Sequence, residues 1–119
     1  MKRHATLIEL SHDHHHTLAM AARILRDPQA DHSIDIRNHS RDLLEHFTRE
    51  EQQFAPLWQK LPDHNLRLRF ERDHTALREL LSQPQYGEPQ WQNMLAERLR
   101  DHVRFEEREL FEALAKYAL

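Results

Sequence analysis

The sequence of 119 residues contains no cysteine, one glycine and few aromatic residues (8%). The absence of cysteine excludes disulfide bonds and thiolate metal ligands. Scarce glycine, with many Leu, Ala, Glu, Arg and Gln residues, argues against β-sheet and predicts an all-helical chain. No apolar run approaches the roughly 18 residues of a membrane span. We therefore expect an unexported, cytoplasmic protein that does not contact a membrane.

Length and charge narrow the class of protein further. The chain, residues 1–119, corresponds to a single domain with one core. The formal net charge is −3 with both signs intermixed, so no nucleic-acid partner is expected. Charged residues make up 31% of the chain, so the apolar residues must form narrow stripes on helices. We expect a monomer or a weak homo-oligomer.

Apolar periodicity and helix-breaking residues predict four helices of roughly 20 to 28 residues. Helix 1 runs from about residue 4 to Arg26, and its predicted apolar stripe is Leu7, Leu18, Ala21, Ala22 and Leu25. Helix 2 begins at Ser33, which should cap it. Pro56 should kink helix 2. Asp63 caps helix 3, and helix 4 begins near Glu88–Gln90 and reaches the C-terminus. Short links between such helices predict an up-down-up-down four-helix bundle.

A histidine followed four residues later by a glutamate occurs twice, as His46 with Glu50 and as His102 with Glu106. Positions i and i+4 lie on the same face of a helix. Both histidines follow a leucine by three residues and so lie on the apolar stripe, where an unpaired polar group is costly. Two such helices packed face to face would bring two imidazoles and two carboxylates to one buried place. This combination favours a pair of transition-metal ions.

The two halves of the chain have similar patterns, with helix 1 resembling helix 3 and helix 2 resembling helix 4. Superposing His15 on His74 aligns a leucine three residues after each histidine. His15 is therefore the predicted metal ligand from helix 1, with His14 and His12 as alternatives. The complete predicted set of metal ligands is His15, His46, Glu50, His74, His102 and Glu106. Four imidazoles and two carboxylates suit two irons bridged by carboxylates.

These elements resemble the hemerythrin-like family, also called the HHE cation-binding family, over nearly the whole chain. The matching motifs are Asp13-His14-His15-His16-Thr17-Leu18, His46-x3-Glu50-Glu51-x2-Phe54-x-Pro56, Asp73-His74-x2-Leu77 and His102-x3-Glu106-x3-Leu110-Phe111. The resemblance implies a non-haem centre of two iron ions, with oxo and carboxylate bridges, inside a hemerythrin-like four-helix bundle. It implies that His46 and His102 bind one iron each, that Glu50 and Glu106 bridge both, and that the partner is O2 or NO.

The sequence departs from the family at two positions. Arg78 stands where oxygen-carrying hemerythrins have a second histidine on helix 3, and Glu107 stands where they have an aspartate. The set of four histidines and two glutamates is more similar to the di-iron domain of bacterial iron–sulfur cluster repair proteins. Those proteins carry a cysteine-containing N-terminal segment, and this sequence has no cysteine. We expect sensing, scavenging or protection; the alternatives are iron storage or iron sensing, and a metal-free interaction module.

Other polar residues carry weaker signals. No nucleophile–base pair and no phosphate-binding glycine loop is present, which favours a binding protein over a dedicated enzyme, with no catalytic residue predicted. Glu51 and Glu107 are expected to be exposed helix charges, with acceptors for the metal-binding histidines as the alternative. Arg78 is expected to pair with a surface carboxylate, with a position facing the metal centre as the alternative. The histidines expected on the solvated surface are His4, His16, His32, His39 and His64.

Overall fold

The structure, a computed structural model, describes residues 3–119. Its long helices are α1 (Ala5–Arg26), α2 (Ser33–Phe54), α3 (Asn65–Ser82) and α4 (Pro89–Phe105). A π-helical turn (Glu106–Leu110) continues α4 without a break into α5 (Phe111–Tyr117), and a short 3₁₀ helix (Trp58–Lys60) follows α2. Residues 3–119 contain no strand, so the prediction of an all-helical chain is confirmed. None of these helices is long and apolar enough to cross a membrane.

The helix boundaries follow the predicted breaker residues, with two corrections. α2 ends at Phe54, so Pro56 terminates this helix instead of kinking it. The reason is that proline has no N–H to continue the helical hydrogen bonds. Ser33 does not cap α2 but is its first residue; the N-cap position is His32, and the Ser33 backbone N–H donates to the Asp31 carboxylate at 2.9 Å. Gly87, in the link between α3 and α4, has a φ of +83°, a conformation that favours glycine.

The four long helices pack compactly: α1 contacts α2 and α4, and α3 contacts the same two helices. Their buried apolar residues form two layers. The first layer includes Met20, Ile24, Ile36, Leu43, Phe47, Leu77, Leu95 and Leu99. The second includes Leu7, Leu10, Phe54, Phe70, Phe105, Leu110, Phe111 and Leu114. Along each long helix, a short stretch separates the residues of the first layer from those of the second, and this stretch contains buried polar residues.

The buried face of α1 differs from the predicted apolar stripe. The residues that α1 buries recur at intervals of three or four and are Leu7, Leu10, His14, Thr17, Met20, Ala21 and Ile24. Of the predicted stripe, Leu7 and Ala21 are buried, but Leu18 and Leu25 are only partly buried and Ala22 is exposed. The buried face is therefore rotated from the predicted stripe by less than the roughly 100° that separates neighbouring residues. This rotation decides which histidine of α1 faces the interior.

Candidate metal centre

Six buried polar side chains converge between the two apolar layers. They come from all four long helices and from the π turn, and each is at most 5% exposed. We call them the buried cluster: His14, His46, Glu50, His74, His102 and Glu106. Burying this many ionisable groups is costly unless they are paired or bind metal. The cluster is therefore the strongest candidate for a functional site in the described residues.

The buried cluster divides into two groups of four that share two glutamates. One group holds His14 and His46, the other holds His74 and His102, and both contain Glu50 and Glu106. In each group, one nitrogen or oxygen from every member lies within 4.8 Å of the corresponding atoms of the other three. Donors on opposite sides of one transition-metal ion are about 4 Å apart. Each group thus has nearly the right size for one ion.

The structure corrects the predicted histidine of α1. His15 and His12 are exposed, whereas His14 is buried and its Nε2 lies 2.9 Å from Glu106 Oε1. His15 was predicted by superposing it on His74, with Leu18 matched to Leu77; Leu18 is only partly buried, and the structure places His14 on the buried face of α1 instead. The other predicted residues, His46, Glu50, His74, His102 and Glu106, do lie together in the cluster.

Each histidine of the buried cluster has its Nδ1 beside a carboxylate outside the cluster. We call these four acceptors the outer carboxylates. The Nδ1–oxygen distances are 3.1 Å for His14 with Glu107, 3.0 Å for His46 with Asp13, 2.7 Å for His74 with Glu51 and 2.8 Å for His102 with Asp73. A proton on Nδ1 leaves the Nε2 lone pair available, and this is how proteins usually orient histidines that bind metals.

The outer carboxylates follow a repeat that the sequence analysis missed. Asp13 precedes His14 just as Asp73 precedes His74, and Glu51 follows Glu50 just as Glu107 follows Glu106. The prediction that Glu51 and Glu107 are exposed helix charges is wrong, because both are half-buried and hydrogen-bonded to cluster histidines. The repeated Asp-His dipeptide was the signal that could have identified both His14 and the two aspartates.

Three of the outer carboxylates also face an arginine. Arg49 lies 2.5 Å from Asp13, and Arg69 lies 3.6 Å from Asp73. Arg78 donates to Glu51 Oε1 at 2.9 Å and to Thr48 Oγ1 at 3.0 Å, which confirms its predicted pairing with a carboxylate. The fourth, Glu107, accepts a hydrogen bond from the Ser11 hydroxyl at 2.8 Å. These contacts fix the carboxylates that in turn orient the imidazoles.

The electrostatics of the buried cluster favour protonated histidines when only protein groups are present. Burial by itself lowers the pKa of His14, but the nearby carboxylates of Glu106, Glu107 and Glu50 outweigh burial and raise the pKa from 6.5 to about 11. Burial likewise opposes protonation of His102, but the charge of Glu106 and the hydrogen bond to Asp73 raise its pKa to about 10. Protons on the imidazoles and cations between them would therefore compete for the same carboxylates.

Glu50 is held in its charged form by the imidazoles around it. Burial raises the pKa of its carboxyl group, but the adjacent imidazoles of His14, His46 and His74 outweigh burial and lower the pKa well below 4.5. The closest of these contacts is His74 Nε2 to Glu50 Oε1 at 3.2 Å. A fully buried carboxylate that stays ionised is a ready ligand for a cation.

Several polar atoms of the buried cluster have no hydrogen bond within residues 3–119. They are Glu50 Oε2, both carboxylate oxygens of Glu106 and the Nε2 of His102. Glu106 Oε1 is close to His14 Nε2, but the contact lacks good hydrogen-bond geometry. Buried polar atoms are nearly always paired, so these atoms indicate a missing partner. Imidazole nitrogens and carboxylate oxygens are the donor set of first-row transition metals, and the residues present fit two such ions.

The π turn places an aromatic ring against one side of the buried cluster. The Phe111 N–H donates to the carbonyl of Glu106, five residues earlier, and the Phe111 ring stacks on His14 at 5.5 Å. On another side, the rings of Phe70 and Phe47 lie 4.0 Å and 4.7 Å from the ring of His74. Wide turns of this kind are frequent at functional sites. Here the turn lets Glu106 and Phe111 both face the interior.

The fold and the site together define an all-helical protein with four buried histidines and two buried glutamates arranged to suit two metal ions. No family model matches the chain, and no curated protein or solved structure matches it either. Its function must therefore be argued from its own residues.

Proposed function

We propose that the chain is a non-haem di-iron protein of the hemerythrin-like type, with an up-down-up-down four-helix bundle. It binds O2 or NO at a carboxylate-bridged centre and serves in sensing, scavenging or protection. The observation that carries the proposal is the pair of four-residue groups that share Glu50 and Glu106. Two shared carboxylates can bind two neighbouring ions at once, and each ion then also has two imidazoles of its own.

The choice of iron rests on the chemistry of the donors. The cluster offers imidazole nitrogen and carboxylate oxygen and no sulfur, which suits iron in a helical bundle. His14 and His46 would hold one ion, and His74 and His102 the other. With four protein ligands for each ion, a metal that prefers six ligands retains open positions. Two ferrous ions would supply those positions and the electrons needed to bind O2 or NO.

The protein's own residues would control this chemistry by position and by exclusion of water. The outer carboxylates hold the four imidazoles with Nε2 toward the centre. Phe47, Phe70 and Phe111 pack against these imidazoles, and each cluster side chain is at most 5% exposed, so bulk water and a large organic substrate have little access to it. A small diatomic ligand is thus the class of partner that the site accommodates best.

The first test is metal content together with the response to ligands. Wild-type protein loaded with Fe²⁺ under anaerobic conditions should hold about two metal ions per chain. Its visible spectrum should change on addition of O2, NO or azide. Uptake below about 0.2 ions per chain would contradict the proposal in favour of a metal-free helical module. Iron uptake that raises the melting temperature but gives no spectral response would indicate iron storage or iron sensing instead.

The second test removes the shared ligands. Glu50→Ala and Glu106→Ala should each lower the content of both ions, because each carboxylate belongs to both groups. Glu97→Ala is the matched control, since Glu97 is an exposed glutamate of α4. Glu50→Gln, which preserves the side chain's shape, separates loss of a ligand from loss of folding when circular dichroism is recorded in parallel. Unchanged metal content in both alanine variants would refute the site.

A further inference from the structure

A buried centre needs an opening through which metal ions reach it, since Glu50 and Glu106 are wholly inaccessible to solvent. Three surface grooves each border one cluster histidine together with its outer carboxylate. The α1–α2 groove borders His46 and Asp13, the α2–α3 groove borders His74 and Glu51, and the α3–α4 groove borders His102 and Asp73. The three grooves differ in the charges that line them, and a cation would enter through the groove with the most negative lining.

The α1–α2 groove, with a volume of about 260 Å³, has an excess of negative charge. Three carboxylates (Asp13, Asp42 and Glu45) line it. Asp13 pairs with Arg49 at 2.5 Å and Glu45 with Arg41 at 3.1 Å, so Asp42 supplies the excess charge. Asp42 has no ion pair within the described part of the chain, so its charge is free to attract a cation.

The other two grooves are balanced in charge. The α2–α3 groove combines Glu51 and Glu71 with Arg67 and Arg78, and its floor includes the aromatic rings of Trp58 and Phe70. In this groove Arg78 also covers Glu51 through two hydrogen bonds. Its composition gives no attraction for a divalent cation.

The α3–α4 groove is the smallest of the three, at about 190 Å³. It pairs Asp73 and Asp101 with Arg69 and Arg98. Asp101 accepts from Arg100 at 3.1 Å, so its charge is already compensated. Neither balanced groove offers the unpaired carboxylate that the α1–α2 groove has.

The imidazole of His39 adds a metal donor to the α1–α2 groove. Its Nδ1 lies 2.7 Å from the backbone carbonyl of Asp35, so this nitrogen carries the proton and donates it. The lone pair of His39 Nε2 is then available to bind a cation. His16 contributes a second, exposed imidazole to the same groove. Imidazole nitrogen is a donor that transition-metal ions accept, so the groove offers metal donors as well as negative charge.

The groove leads to the buried cluster. Asp42 stands four residues before His46, one helical turn of about 5.4 Å. His46 lines the groove, and its Nε2 lies 3.3 Å from Glu50 Oε2, a fully buried oxygen without a hydrogen bond. A cation released by Asp42 thus meets His46 and then an unsatisfied carboxylate.

We propose that the α1–α2 groove is the entrance for divalent metal ions, with Asp42 and His39 forming a transient binding position on the way to His46. The inference rests on the proposed metal centre but concerns the rate of uptake and not the final site. Removing the charge of Asp42 should therefore slow metal uptake without changing how much metal is bound at equilibrium.

The test is stopped-flow mixing of metal-free protein with Co²⁺, followed by the visible absorption of the bound ion. The double variant Asp42→Asn with His39→Gln should slow the second-order uptake about 3- to 10-fold and weaken its dependence on salt, since charge steers association. The matched control is Asp101→Asn, which removes an exposed aspartate beside the α3–α4 groove. It should change the rate by less than about 1.5-fold, because Asp101 is already paired. Thermal melts check that each variant is folded.

The outcomes separate this inference from the proposed function. The proposed entrance is supported if the double variant still binds two ions at equilibrium but takes them up more slowly, while the control keeps the wild-type rate. If the double variant binds two ions at the wild-type rate, the proposed entrance is refuted but the proposed metal centre is not. The same holds if Asp101→Asn is slowed and the double variant is not. Wild-type protein that takes up no Co²⁺ and no Fe²⁺ overturns both proposals.

Discussion

The carboxylate of Asp13 lies 3.0 Å from the Nδ1 of His46, so a residue of α1 orients a cluster histidine on α2. Asp73, the residue before His74, does the same from α3 for His102 on α4, at 2.8 Å. Each odd-numbered long helix thus supplies one imidazole to the buried cluster and one carboxylate that holds the imidazole of the next helix. The centre and the packing of the helices therefore depend on the same contacts.

Asp13→Asn and Asp73→Asn should each weaken metal binding by about 10- to 100-fold, since an amide cannot support the imidazole as a carboxylate does. Competition titrations against a chelator measure the change. Asp101→Asn serves as the control, because Asp101 is exposed and contacts Arg100 and no cluster histidine. Equal affinities in all three variants would mean that the outer aspartates have no part in metal binding.

A matched pair of alanine substitutions tests the choice between adjacent histidines. His14→Ala should lower metal affinity by more than about 100-fold, because it removes a ligand and leaves buried carboxylates unpaired. His15→Ala should leave metal content and affinity at wild-type values, since His15 is exposed. Metal analysis with a chelator titration measures both. The reverse result would restore His15 as the ligand of α1.

Metal binding should release protons. At pH 7 the metal-free protein holds protons on His14 and His102, whose pKa values are about 11 and about 10. A bound ion needs neutral imidazoles, so binding must displace at least these two protons. Calorimetric titrations in two buffers with different ionisation enthalpies count the protons released. The same binding enthalpy in both buffers would contradict the prediction.

The metal-free protein should lose stability as the pH rises. The pKa values of His14 and His102 are raised in the folded state from 6.5. Their contribution to stability is therefore complete below about pH 6.5 and is lost as the pH rises toward about 10 to 11. The carboxyl group of Glu50, whose pKa is lowered, contributes above its usual 4.5 and loses that contribution as the pH falls.

Thermal melts of chelator-treated protein from pH 4 to 10 test this expectation. The melting temperature should be highest between about pH 4.5 and 6.5 and should fall toward pH 10. In the presence of metal the decline above pH 6.5 should disappear, because the bound ions replace the protons. His15→Ala provides the control, since an exposed histidine should not alter the profile. A melting temperature that rises steadily to pH 10 without metal would refute the electrostatic account.

Much of the candidate site could be predicted from sequence because its strongest signal is local. His46 and Glu50 lie on the same face of their helix however that helix packs, and the same is true of His102 and Glu106. His74 could be predicted because only one histidine lies near the middle of helix 3. The link at Gly87 was likewise marked by glycine and proline, whereas the end of α2 at Phe54 was not predicted, because Pro56 was expected only to kink the helix.

The choice between His14 and His15 was beyond this local reasoning. Neighbouring residues on a helix point about 100° apart, and α1 has apolar residues on more than one side, so its sequence allowed two stripes. Packing against α2 and α4 selected the face with Leu10, His14 and Thr17. Glu51 and Glu107 were misjudged for a related reason, since their partners His74 and His14 lie on other helices.

The sequence by itself determined the helices, most of their breaks and the two His-x3-Glu pairs, because these depend on contacts within a few residues of the same chain segment. Tertiary structure decided which histidine of α1 joins the buried cluster and which carboxylates orient it. Those choices depend on the rotation of each helix against its neighbours, which the burial of apolar side chains sets only when all four helices come together.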